Sequence, residues 1–214
     1  MYRSPNIGIF LKANDKTILI PRGMAPTKAH KIESLLGVKS VRTSIGGLRL
    51  LGPLVAMNGK GIVVSRLAED EEMKHIKEAT GLPVERIPSK YTSIGNLVAA
   101  NDKGAVVSTI FEREAVMRIS DVLDVPVEVM EIASYVQVGS VVIATNLGGA
   151  IHPHANEEEV RRVSEVLRVD VEPATVNGGV PFVASGIVVN SQAAVVGSLT
   201  RGPELAILSR AFQV

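Results

Sequence analysis

Few side chains in this sequence could carry out chemistry. His152 and His154 flank Pro153. In an extended segment, residues i and i+2 point to one face, so two imidazoles there could begin a metal site. No third ligand completes the set. His152 therefore reads as the end of a strand and His154 as part of the following loop, and no metal is expected. His30 and His75 fall in segments of helical periodicity and read as solvated. Glycine pairs begin at Gly46, Gly148 and Gly178. None stands in Gly-x-x-x-x-Gly-Lys or Gly-x-Gly-x-x-Gly, so turns at repeat joints account for them better than phosphate cradles do. The acidic runs Glu69 to Glu72 and Glu157 to Glu159 open helices, where the dipole favours carboxylates. Both read as solvated first turns, not Mg²⁺ sites. The sequence holds 0 cysteines, which excludes thiolate catalysis, thiolate metal ligation and disulfides and fits a reducing cytoplasm. A serine nucleophile would need an adjacent base, and no Gly-x-Ser-x-Gly elbow occurs. No catalytic residue and no cofactor is expected.

Composition narrows the partners. Net charge is +1, from 23 basic and 22 acidic residues. A dedicated nucleic-acid binder carries a clear basic excess, so no DNA partner is expected, and any RNA contact must be local or shared with a protein. Aromatics make up 3% of the chain, with no tryptophan, so the core is aliphatic and base stacking on aromatic platforms is not expected. No run of about 18 apolar residues predicts a membrane span, and no leader pattern opens the sequence.

The elements that must position these residues come from a repeat. An asparagine after a β-rich run recurs at Asn14, Asn58, Asn101, Asn146 and Asn190, at gaps of 44, 43, 45 and 44 residues. A period in this range marks a repeat architecture. In the third copy, Leu97 to Ala100 predicts a strand, Asn101 to Gly104 a turn, and Ala105 to Ser108 the returning strand of a hairpin. Ala115, Val116, Ile119, Val122 and Leu123 share a helical face, and Val125 to Val129 predicts a third strand. Elsewhere the helix stripes are Ile32, Leu35 and Leu36; Met73, Ile76 and Ala79; Val160, Val163, Val166 and Leu167; and Leu205, Ile207 and Leu208. Asn156 with Glu159 reads as a capping box. The last copy stops after its helix, so Tyr2-Arg3-Ser4 is expected to complete the fifth sheet and close the ring. The expected fold is an α/β five-fold pseudo-symmetric propeller of five ββαβ repeats, hairpins inside and helices outside. It is expected to be a single closed domain over residues 1–214, with repeats at about 5–43, 44–92, 93–136, 137–181 and 182–214.

That architecture is the one of the pentein superfamily. Within it the sequence resembles the archaeal translation initiation factor 6 family. The resemblance is carried by Ser44-Ile45-Gly46-Gly47, Ser93-Ile94-Gly95-Asn96, Asn101-Asp102-Lys103-Gly104, Val138-Gly139-Ser140, Asn146-Leu147-Gly148-Gly149 and the closing Thr200-Arg201-Gly202-Pro203-Glu204-Leu205. Asn177 to Phe182 departs from the family's pattern. The resemblance implies a cytoplasmic anti-association factor that binds the large ribosomal subunit on its subunit-joining face, with a role in subunit biogenesis. It implies a ribosomal protein of that face and RNA near the sarcin–ricin loop as partners, with no membrane. A monomer is expected.

Pseudo-symmetry places the five repeat openings on one rim. Asn96, Arg49, Gln137 and Asn177 vary there and are expected ribosome contacts; Arg42, which like Arg49 could bind phosphate bidentately, and Gly139 and Ser140 complete the expected set. Asn96 reads as the counterpart of Gly47. Lys28, Lys31 and Lys39 read as ordinary surface charge. Two alternatives stand beside this reading. One is a pentein enzyme that modifies guanidino groups, a chemistry that usually needs the missing cysteine. The other is a ring scaffold for another partner.

Overall fold

The computed structural model describes residues 4–214. The chain repeats one sequence of elements. A 3₁₀ turn at Ile7–Ile9 precedes β1 (Lys12–Ala13), β2 (Thr17–Pro21), α1 (Pro26–Leu36) and β3 (Lys39–Thr43). The second unit runs α2 (Leu51–Leu54), β4 (Val55–Met57), β5 (Ile62–Val64), α3 (Asp70–Thr80) and β6 (Val84–Arg86). The third runs α4 (Ile94–Leu97), β7 (Val98–Ala100), β8 (Ala105–Ser108), α5 (Arg113–Leu123) and β9 (Val127–Met130). The fourth runs α6 (Val138–Val141), β10 (Val142–Ala144), β11 (Gly149–Ile151), α7 (Glu157–Leu167) and β12 (Val171–Pro173). The fifth runs α8 (Val183–Gly186), β13 (Ile187–Val189), β14 (Ala194–Val196) and α9 (Gly202–Phe212).

Each of the first four units is a three-stranded sheet: an antiparallel hairpin with the third strand parallel to the second. Among the described residues the fifth sheet has two strands. The expected completing strand falls on Tyr2 and Arg3, outside the described residues, and on Ser4, which is not in a strand. The Pro5 carbonyl does lie against Gly197, just past β14.

The long helices are each 11 residues and each ends on a left-handed residue: Gly37, Gly81, Asp124, Arg168 and Gln213. That conformation satisfies the last carbonyls and turns the chain back toward its sheet. Three residues expected in the core stripes are exposed instead: Leu35, Ala79 and Leu205. The buried row in α3 runs through Glu72 and Ile76, and in α9 through Glu204, Leu208, Ala211 and Phe212. Seven residues make nearly two full turns, so Ala79 shares the angle of Glu72 and Leu205 that of Phe212, and each is exposed at the opposite end of its row.

Each apolar core is built mainly from one unit and completed by residues of its neighbour. Ala56 and Val63 of the second unit pack with Ile94, Leu97, Ala115 and Ile119 of the third. Ala99 and Val106 of the third pack with Val138, Val163 and Leu167 of the fourth. Val188 of the fifth joins Ile7, Leu11, Ile18 and Leu36 of the first. One helix and two neighbouring sheets thus make each core.

Polar bonds follow the same path around one end of the ring. The Asn14 amide donates to the Asn58 carbonyl (2.7 Å), Asn58 to those of Asn101 and Leu123 (3.0 and 2.8 Å), Asn101 to those of Thr145 and Leu167 (both 2.9 Å), and Asn190 to that of Leu36 (2.8 Å). The fourth member is Thr145, not Asn146. Its hydroxyl accepts from the Leu147 and Gly148 amides, as Asn58 Oδ1 does from Lys60 and Gly61. Asn146 belongs to a second chain of bonds, in which Asp102 N–H donates to Asn146, Asn146 N–H to Ser191, and Ser191 N–H to Asp15. This last bond joins the fifth unit to the first.

Candidate functional site

The leading element of every unit after the first is a four-residue helix: α2, α4, α6 and α8, with the 3₁₀ turn in their place at the start. Sequence reading missed these, because a single turn shows no period, and Leu97 read as the start of a strand. The short helices touch in a closed circle about the axis. Close approach explains their glycines. A Cβ on Gly52 would stand 1.9 Å from the Gly8 carbonyl, on Gly95 1.9 Å from that of Gly52, and on Gly139 2.3 Å from that of Gly95. Only glycine allows backbone this near backbone.

This geometry corrects the register of the second repeat. Gly52, not Gly46, is the counterpart of Gly95 and Gly139, and Asn96 stands opposite Pro53, not Gly47. The Ser-Ile-Gly-Gly segment forms a different feature. Ile45 bridges Leu48, Ile132 bridges Tyr135, and Val176 bridges Val180. Gly46 and Gly47, Ala133 and Ser134, and Asn177, Gly178 and Gly179 all take positive φ at these turns.

A glutamate in the first turn of the following long helix clasps each turn. Glu72 accepts from the amides of Gly46 (2.6 Å), Gly47 (3.0 Å) and Glu69 (2.9 Å). Glu204 accepts from Gly178 (3.0 Å), Gly179 (2.8 Å), Arg201 (2.8 Å) and the Thr175 hydroxyl (2.7 Å). Glu159 accepts from Ala133 (3.0 Å) and Asn156 (2.8 Å). Burial pushes Glu72 and Glu204 up, but these donors outweigh it and both sit below the usual carboxylate range. Glu72 is 3% exposed, so the expectation of a wholly solvated acidic turn fails there. The signal for it was the N3 position of Glu72, which a capping box fills.

The strand directions set all seven expected contact residues on the end of the ring that carries the short helices and these turns. Arg49 and Gln137 are exposed. Arg42 is half-buried, and its guanidinium donates to the Met24 carbonyl at 2.8 Å. Asn96 and Ser140 are half-buried and line the axial cavity. Gly139 is buried in the glycine circle. Asn177 is 9% exposed, and its amide donates to the Pro5 carbonyl (3.2 Å) and Asn6 Oδ1 (3.1 Å), so it fastens the first and fifth units together. Asn96, Gly139 and Ser140 are thus brought together at the axis, whereas Arg42 lies on β3 and Arg49 just past the Ile45–Leu48 turn. Beside Arg49 sequence reading missed exposed Leu48, Leu50 and Leu67, at 45%, 40% and 41%. Gly46 packs against Leu67.

His152 is buried, and its Nδ1 accepts the His154 amide at 3.1 Å. Burial, then the neighbouring His154, lowers its pKa against the opposing pull of Glu159. Its ring lies 5.2 Å from Tyr135. Among the described residues no group of three potential metal ligands forms.

Comparison with known proteins bears on what this face does. The eIF-6 family model matches residues 1–211. The chain is 45% identical over 212 residues to "Translation initiation factor 6" of Cenarchaeum symbiosum, covering 99% of this chain and 96% of that protein. It is 46% identical over 212 residues to the protein of that name from Nitrosopumilus maritimus, with the same coverage. It is 42% identical over 214 residues to that of Pyrococcus furiosus, covering 98% and 94%. Among solved structures, the N-terminal domain of ArgZ, an arginine dihydrolase, aligns with TM-score 0.55 at 15% identity over 87% of this chain and 75% of that one. That likeness is one of fold, and the fold is of the pentein type.

Proposed function

The chain belongs to the eIF-6 family, and from that premise we propose that it binds the large ribosomal subunit and keeps the small subunit from joining it, with a part in large-subunit biogenesis. The observation that carries the reading is likeness over nearly the whole chain to proteins named translation initiation factor 6. A stiff ring stitched by hydrogen bonds suits a steric block, which needs a fixed shape and no bond-making. Arg49 and Gln137 are the free polar contacts, with Arg42, Asn96 and Ser140 nearer the axis. Gly139 and Asn177 shape the face from beneath. Leu48, Leu50 and Leu67 beside Arg49 offer an apolar anchor with a cationic edge, the mixture that protein interfaces favour.

The partners are a ribosomal protein of the joining face and RNA near the sarcin–ricin loop. The contact would bury roughly 1,200–2,000 Å². The protein acts as a cytoplasmic monomer without catalysis; the guanidino chemistry of other penteins usually uses a cysteine, and this chain has 0. No helix among the described residues is long and apolar enough to cross a membrane.

The test is a sucrose gradient of purified subunits. The chain should travel with the large subunit and reduce the joined fraction when small subunits are added. Migration only at the top of the gradient, with joining unaffected, overturns the proposal. With net charge +1, binding should weaken gently with salt. A steep log–log slope would mean many neutralised phosphates and would contradict a mainly protein-mediated contact.

A further inference from the structure

Lys12 of β1 is a cation inside the ring. It lines an axial cavity of about 230 Å³ whose wall is made by the short helices and the first strand of each hairpin. Two residues before the stitching positions Asn14, Asn58, Asn101, Thr145 and Asn190, the five units place Lys12, Ala56, Ala99, Ile143 and Val188. Four are apolar and one is charged. Among the described residues no carboxylate lines the cavity, and Lys12 is the one charged residue in the lining. Its ammonium enters no hydrogen bond or ion pair among the described residues. The nearest acids along the axis, Asp15 and Asp102, sit at the far end and are already engaged: Asp15 by Ser191 and Asn146, Asp102 by Gly59 and Asn146.

An unpaired ammonium in such a place is costly, and it either sheds its proton or takes a counter-ion. Burial holds the Lys12 amine down to about 8, so near neutrality it still carries its charge most of the time. The cavity supplies further donors. Asn96 and Ser140 line it, and neither side chain is engaged by another described residue. Size limits the occupant. One water needs about 10–15 Å³ of such volume, so the cavity has room for an ion of about five heavy atoms together with its residual waters.

We propose that the axial cavity is a binding site for a small free oxyanion, such as phosphate or a short carboxylate, held by the Lys12 ammonium with Asn96 and Ser140 as neutral donors. The reading does not depend on ribosome binding. The bound ion would also draw the first, third and fourth units toward one point.

The test uses the full chain, with sodium phosphate, sulfate, acetate or chloride at matched ionic strength. Calorimetric titration and thermal unfolding should show saturable binding and a raised Tm with phosphate or acetate over chloride. Lys12→Met should weaken that binding about tenfold or more, as loss of a charge-assisted bond does, and Ser140→Ala should weaken it less. In wild-type protein with ¹³C-labelled lysine, phosphate should raise the Lys12 pKa, and affinity should fall as pH climbs past 8. Equal effects of phosphate and chloride, or unchanged affinity in Lys12→Met, would overturn the proposal. If that variant does not fold, a Lys12 resonance unmoved by phosphate in the wild type does the same. A short RNA that displaces phosphate would show that the site takes backbone phosphate and not a free ion, which also contradicts the assignment.

Discussion

Glu72 and Glu204 are buried carboxylates that hold protein turns. Each replaces water with three or more donors, two at a positive-φ glycine turn and the others at the start of its own helix or nearby. Glu72→Gln or Glu204→Gln should therefore lower stability at pH 7 by about 1.5–3 kcal/mol, the range for hydrogen bonds to a charged group. Both carboxylates have folded pKa values below the ordinary one. Their contribution is thus fully present above the unfolded value of about 4.3 and is lost as pH falls from there through the folded pKa. The gap between wild type and variant in urea midpoint should close in that acid window. A gap that stays constant to pH 2 would show that the charge is irrelevant. Arg49 makes the opposite case. Its side chain is exposed, so Arg49→Ala should leave Tm within about two degrees, since surface changes stay within about 0.5 kcal/mol. If it lies in the ribosome contact, co-sedimentation should weaken at least several-fold. A fall in Tm with affinity unchanged would remove it from that role.

At the scale of elements, the circle of short helices is the feature most dependent on a missing side chain. Gly95→Ala places a methyl 1.9 Å from the Gly52 carbonyl and 2.5 Å from that of Val55. Both obstacles are backbone, so two units must separate. The expected loss is about 3 kcal/mol, at the upper end for overpacked cores, read as a drop in denaturant midpoint with m unchanged. Gly47→Ala is the control for position: a Cβ there meets nothing within 4 Å, and its cost comes from φ 71° alone. Equal effects from both would refute the close-approach argument. The long helices were legible because an 11-residue amphipathic stretch carries three turns of signal. The four-residue helices were not, because one turn has no period to read.

At the scale of the whole molecule, stability is shared across boundaries. Every core draws residues from two neighbouring units, and the first and fifth meet through Val188, the Asp15–Ser191 bonds and Asn190. A single repeat cannot bury its apolar face. Residues 93–136 expressed alone should be unfolded by circular dichroism, and the intact chain should unfold in one transition. Asn190→Ala removes the donor to the Leu36 carbonyl and the acceptor for the Gln192 and Ala193 amides. It should therefore cost about 2–3 kcal/mol. Hydrogen exchange should then quicken first in the first and fifth units. Uniform acceleration around the ring would argue that no seam exists.

The five-fold count, the hairpin–helix–strand unit, the aliphatic composition and the family likeness are all written in the chain itself. They are local or periodic, and a repeat multiplies each weak signal five times. Register at the joints was not. Gly46 and Gly52 are the same letter six positions apart, and Asn146 stands one position past the residue that does the stitching, so only packing shows which glycine meets a neighbour's carbonyl or that Thr145 takes an asparagine's place. The burial of Glu72, the use of Asn177 as a fastener and the unpaired Lys12 at the axis depend on partners 23 to 172 residues away, or on having none. Such relations exist only once the chain has folded and distant segments meet, because each depends on residues far apart in sequence.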